Sequence, residues 1–194
     1  MPILQRFNSI TPLTTTLLLM TLSACSLDAK LASPQQIADA TVNEPASAGL
    51  SLSWRAPELS ASSYRILFYG YDRVYYRLSA LQAPAPEQSP SYRLLLDINY
   101  GARQMREYHI QNGNTALPLS HNRHEIVRCG IFDDLTSACL FRDQAYVELS
   151  QADLDAAIGK GLTVLLKSEH NQDISLELPG NYIAGFLLRL QHPK

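Results

Sequence analysis

Leu50-Ser51-Leu52-Ser53-Trp54 places an apolar side chain at every second position. An extended chain turns successive side chains to opposite faces, so this spacing gives a strand with one buried face and one wet face. The texture continues along the chain. YRILFYGY (Tyr64–Tyr71) and VYYRLSAL (Val74–Leu81) are rich in tyrosine and branched residues, which fit a pleated surface. The Pro-rich APAPEQSPS (Ala83–Ser91) is a break, and YRLLLDINYG (Tyr92–Gly101) and QMREYHI (Gln104–Ile110) supply two further strands. QNGN (Gln111–Asn114) carries an Asn-Gly turn signal. In CGIFDDLTSAC, Asp133-Asp134 divides two apolar flanks and predicts a hairpin turning near Asp133–Thr136, with strands near Glu125–Phe132 and Cys139–Leu149. LTVLLKS and ISLELPG form a closing pair of strands.

Helical signals are few. SQADLDAAIGKG offers Ser150 as N-cap with Asp153 in the capping-box position, Leu154, Ala157 and Ile158 on one face, and Gly159 or Gly161 as a stop. In NYIAGFLLRLQ, Ile183, Phe186, Leu187 and Leu190 fit a helix face capped by Asn181, with a last strand as the alternative. The fold expected is mainly β: an antiparallel β-sandwich-like single domain over residues 48–194, with one or two short helices at about 150–159 and 181–191.

The first 24 residues differ from all this. Arg6 is their only charge, an apolar Thr-rich run spans Ile10 to Leu22, and Ser23-Ala24 closes it. That is the layout of a secretory signal, and Pro12 and three consecutive threonines make the run too interrupted for a membrane span. Leu22-Ser23-Ala24-Cys25 resembles the lipobox of bacterial lipoproteins. The resemblance implies cleavage before Cys25 and acyl chains on its sulfur and new amino end, a stable membrane anchor. Ser26, where Asp would favour retention at the inner membrane, implies the outer membrane, facing the periplasm of a Gram-negative cell. The order of a Cys hairpin, VELSQADLDAAIGKGLTVLLK and LPGNYIAGFL is also similar to small Gram-negative outer-membrane lipoproteins, which adds an address and no activity.

Within that resemblance the cysteines sort themselves. Cys25 belongs to the lipid, and in an oxidising compartment Cys129 and Cys139 are left to pair as a disulfide. Residues 25–47 are small and polar, without a sustained period, and read as a flexible tether with a root-mean-square reach of about 25 Å. Without the leader the chain carries 15 basic and 18 acidic residues and no Lys/Arg block, so it has no electrostatic footprint for nucleic acid.

No residue set commits the chain to a reaction. It has no Gly-rich phosphate loop, nucleophile elbow or His-Glu-x-x-His. No catalytic residue, metal or cofactor is assigned. His121, His124 and Glu125 in HNRHE are the nearest thing to a hydrolytic or metal-binding set, but a regular strand points His121 and His124 to opposite faces. Five of the ten tyrosines fall between Tyr64 and Tyr76, and alternation leaves Tyr69 and Tyr71 as a candidate surface for a glycan or protein partner. The first expectation is a non-enzymatic interaction or scaffolding module of the envelope. The alternatives are a small hydrolase or metal-binding enzyme using the HNRHE region, and a glycan or peptidoglycan binder through Tyr69 and Tyr71.

Overall fold

The computed structural model describes residues 28–44, 52–64, 71–82, 89–133, 136–168 and 173–192. Two antiparallel sheets face one another, without closing into a barrel. The larger holds β1 (Val42–Glu44), β2 (Leu52–Arg55), β4 (Tyr71–Gln82), β5 (Ser91–Ala102), β9 (Thr136–Leu149) and β8 (Leu119–Asp133), in that spatial order. β3 (Leu59–Tyr64) also pairs with β4, further along the same edge as β2. The smaller sheet runs β11 (Ile174–Leu178), β10 (Leu162–Ser168), β6 (Tyr108–Asn112), β7 (Thr115–Leu117). The mainly β, sandwich-like fold read from the alternating segments is the one observed.

Alternation builds the core. Val74, Tyr76, Leu78 and Ala80 on β4 lie beside Leu94, Leu96, Ile98 and Tyr100 on β5 and Phe141, Ala145 and Val147 on β9, all buried. Val164, Leu166, Leu176 and Leu178 answer them from the smaller sheet. Two tyrosine hydroxyls tie the layers. Tyr76 donates to the Glu177 carbonyl at 3.0 Å and accepts its N–H at 3.1 Å. Tyr182 donates to the Pro57 carbonyl at 2.7 Å and accepts the Leu78 N–H at 3.2 Å, filling the gap in the ladder between β2 and β3.

The two expected helices form. α2 (Gln151–Ala157) has the Ser150/Asp153 capping box and buries Leu154 and Ala157, but Ile158 caps its end and is exposed. α3 (Gly180–Gln191) is a helix, not a strand, and buries Ile183, Phe186 and Leu187. Pro179 stands at its N-cap. Asn181 does not cap it. Its amide donates to the Ala32 carbonyl at 2.5 Å and the Lys30 carbonyl at 3.4 Å.

That last contact corrects the tether. Residues 28–44 are part of the domain: α1 (Pro34–Ala40) packs on α3, and β1 extends the larger sheet. Ser33 and Gln36 form a reciprocal capping box with Pro34 in the first turn, and Ile37 is fully buried. Burying that one side chain contributes about 1.5–3 kcal/mol. Cys25 lies outside the described residues, as do 1–27 and 45–51 generally.

β8 and β9 form the longest hairpin, and Cys129 and Cys139 are directly opposite in it and disulfide-bonded, with Cα atoms 4.0 Å apart. The cross-link stabilises by about 2–3 kcal/mol in the chain-entropy account. β8 ends the strand order, and its ladder shifts register three times, between His121/Arg123, Ile126/Arg128 and Ile131/Asp133. Bulges of this kind twist an edge away from further pairing.

α1 and α3 approach closely at one residue. A Cβ on Gly185 would come to 2.6 Å from the Ile37 Cβ and closer still to the Pro34 carbonyl oxygen. Gly185→Ala is expected to destabilise by about 1–3 kcal/mol through overpacking, despite the gain in helix propensity. Urea unfolding of the oxidised protein measures it, and an unchanged midpoint would mean that α1 does not pack there.

Candidate functional site

The core face of the larger sheet is apolar except at one end. On β4, Asp72 falls in the inward register of Val74, Tyr76 and Leu78, and on β9, Asp143 falls in the inward register of Phe141, Ala145 and Val147. The Asp72 side chain is 1% exposed and that of Asp143 is 0% exposed. Carboxylates so placed need partners, because burying an unpaired charge costs several kcal/mol.

Asp143 has two. Its Oδ1 is 2.8 Å from Nδ1 of His124, its cross-strand neighbour on β8. Its Oδ2 accepts the Tyr100 hydroxyl at 3.1 Å. The Tyr100 oxygen in turn accepts the Arg106 backbone N–H at 3.2 Å. Burial, with the Asp143 charge beside it, pushes the Tyr100 hydroxyl up to about 12, so it stays a donor. A carboxylate can only accept, so Nδ1 of His124 carries the shared proton, and Nε2 is bare in the neutral ring.

Asp72 is held by Arg106. The guanidinium, 1% exposed, donates from Nη1 to Asp72 Oδ2 at 2.5 Å and from Nη2 to the Gly101 carbonyl at 2.9 Å. It lies 5.1 Å from the Tyr100 ring centroid. Tyr100 also stacks on Phe141 at 5.2 Å and meets Tyr108 edge-on at 5.4 Å. Burial and the Asp72 charge raise the Tyr108 hydroxyl. Asp72 Oδ1, Arg106 Nε, Tyr108 Oη and Ser168 Oγ are buried without a hydrogen-bond partner, and Ser168 is the cross-strand neighbour of Tyr108.

This network backs a cleft of about 470 Å³. The cleft lies where the chain crosses from β7 to β8 through Pro118, and its walls include Glu107, His109, Leu117, Leu119, His121 and His124. β7 stops pairing with β6 at Ile110↔Leu117, so the Tyr108–His109 end of β6 borders the cleft with no β7 partner.

The sequence placed His121 and His124 on opposite faces, and the structure corrects this. Their rings stack, with centroids 4.8 Å apart and planes 22° apart. The register shift between His121 and Arg123 adds one residue to β8, which reverses the alternation and brings both imidazoles to the cleft. Glu125 does not join them. It pairs with Arg123 at 3.3 Å and stands opposite Arg142. Among the described residues no group of three His, Cys, Asp or Glu side chains is placed to hold a metal.

The tyrosine surface is only partly in view. Tyr69 lies outside the described residues, and Tyr71 is placed by its backbone alone, opposite Tyr64 at the start of β4. Two positions further, Arg73 donates to the Tyr75 hydroxyl at 2.9 Å, and on β9 Tyr146 lies beneath Arg93 at 4.3 Å. Other outward side chains form ion pairs, including Arg77–Glu58, Arg93–Glu148 and a bidentate Arg142–Asp97. Burial would raise Asp97, but the Arg142 hydrogen bonds and charge, with Asn99 and Gln144, hold it below its ordinary value.

The inward charges are what the sequence reading missed. An Asp in the buried register of FRDQAYVEL was the available signal, and Asp72 ahead of RVYYRL was a second. Removing one partner of a buried pair strands the other, at a cost of about 3–5 kcal/mol. Asp72→Ala is therefore expected to destabilise by that amount in urea unfolding, against less than about 0.5 kcal/mol for Lys30→Ala at the exposed Lys30–Glu177 pair. Equal effects would contradict the burial described. Comparison with models of protein families, with curated proteins and with solved structures finds no match to this chain.

Proposed function

We propose that the chain is an outer-membrane lipoprotein, anchored through Cys25, whose β-sandwich is a non-enzymatic interaction module facing the periplasm. The leader and lipobox-like Leu22-Ser23-Ala24-Cys25 support the anchor. The observation that carries the interaction reading is β8. Its residues 121–130 are exposed except for Glu125, and Ile126 and Val127 are 59% and 48% exposed. Neighbouring apolar residues left in solvent on a disulfide-stapled arm are what a partner surface uses. The bulges argue for contact through side chains rather than by strand addition.

The corrected tether sharpens the arrangement. With the domain beginning by residue 28, only Ser26 and Leu27 separate it from Cys25, a span of at most about 10 Å. The body then sits against the membrane rather than on a long leash. β8 is five strand positions from β1, about 24 Å across the sheet from the strand that follows α1. An anchor beside α1 therefore leaves β8 at the far edge, free to meet an envelope protein.

One observation favours the hydrolytic reading: His124, backed by Asp143, has the orientation a general base requires. Ester or amide turnover lost on His124→Ala would carry that reading.

The interaction reading has its own test. Cys25→Ser is expected to abolish palmitate incorporation and release the protein from the outer-membrane fraction. A photo-crosslinker at Val127 is expected to give a discrete protein adduct in cells that one at Lys160, exposed beyond α2, does not. Undiminished acylation would refute the anchor, and identical adduct patterns would refute the β8 contact.

A further inference from the structure

From the cleft we infer that this protein binds a saccharide, with Nε2 of His124 accepting a hydroxyl hydrogen. The inference uses the cleft-lining His121 and His124 of β8 rather than its exposed Ile126 and Val127, so the two readings can fail separately.

The site is built rather than incidental. Asp143 has no exposed surface, and its oxygens are committed to His124 Nδ1 and the Tyr100 hydroxyl. His124, 40% exposed, is thereby fixed in ring orientation and in tautomer. A neutral imidazole locked this way offers a single acceptor, Nε2, and needs a donor opposite it. Glu107 lines the same cleft and brings a carboxylate, a second acceptor. Two acceptors in an open cleft suit a ligand that carries several hydroxyl donors.

The rest of the lining fits the apolar side of the same ligand. Leu117, Pro118 and Leu119 add apolar lining, and the stacked His121 and His124 rings line the same cleft. A volume of about 470 Å³ lies within the range of small-molecule sites. Arg106 and Tyr108, which line the cleft, also hold the unpartnered Nε and Oη atoms, which are buried behind its surface.

Titratable and aromatic groups surround His124 on several sides. His121 stacks on it from the same strand, Asp143 holds it from β9, Tyr100 bonds that carboxylate from β5, and Arg106, Glu107 and His109 face it from the segment entering β6. Protonating His124 would convert Nε2 from acceptor to donor, so saccharide binding in this way needs the neutral ring.

The test is imidazole ¹H–¹³C NMR of the oxidised protein at pH 7.5, titrated separately with N-acetylglucosamine, glucose, sodium acetate and sodium phosphate. The expected result is a saturable shift of the His124 signal with at least one sugar, at roughly millimolar affinity for so small a ligand. His192, exposed at the end of α3, stays still. His124→Phe removes the acceptor together with the donor to Asp143, so it is read only where the backbone NMR spectrum shows the fold retained, and there it is expected to weaken binding about tenfold or more. No saturable sugar shift, a response confined to acetate or phosphate, or undiminished sugar binding by the Phe variant would each overturn the inference.

Discussion

A carboxylate with no access to water is the constraint around which this molecule is arranged. Asp143 sits on the core face of β9, directly between Phe141 and Ala145 in the inward register. It is tolerable there only because His124 and the Tyr100 hydroxyl both donate to it. Satisfying it draws in Arg106 through the Tyr100 oxygen, and Arg106 in turn satisfies Asp72. One end of the sandwich is therefore a connected polar network opening on a cleft. The rest is an ordinary apolar core, closed by α3 and by the Tyr76 and Tyr182 hydroxyls that bond across layers.

Much of this was legible in residue order, for a physical reason. Alternation of apolar residues is read locally, so the strands around Leu52–Trp54, Val74–Leu81 and Tyr92–Gly101 were recognisable, as was the closing pair. Capping is also local, and the Ser150/Asp153 box forms as written. The Cys129–Cys139 bond follows from a turn at the middle of the span, which puts both residues at one level of the hairpin. α3 was readable as a face, although Pro179 stands at its N-cap and Asn181 bonds the turn that leads into α1 instead.

What the sequence hid is non-local or irregular. α1 is about two turns with a single large apolar residue, Ile37, and it exists because Gly185 lets α3 come close. Short helices are unstable alone, and tertiary packing decides them. A composition of Ala, Ser, Pro and Gln looks like a linker until the opposing surface is known. The HNRHE segment failed differently. One added residue at a bulge reverses face assignment, and a bulge has no sequence signature to betray it. The candidate site thus turns on an irregularity in β8, while its partner Asp143 turns on a regular strand whose inward Asp should have drawn notice.

The central claim is that Asp143 fixes His124 as an imidazole with its proton on Nδ1 and a bare Nε2 toward the cleft. Long-range ¹H–¹⁵N correlation of the His124 ring in the ligand-free protein at pH 7.5 reads the tautomer directly. The account requires a pyrrole-type Nδ1 and a pyridine-type Nε2, with that preference lost in Asp143→Asn. A proton on Nε2, or the averaged shifts of a free imidazole, would contradict it.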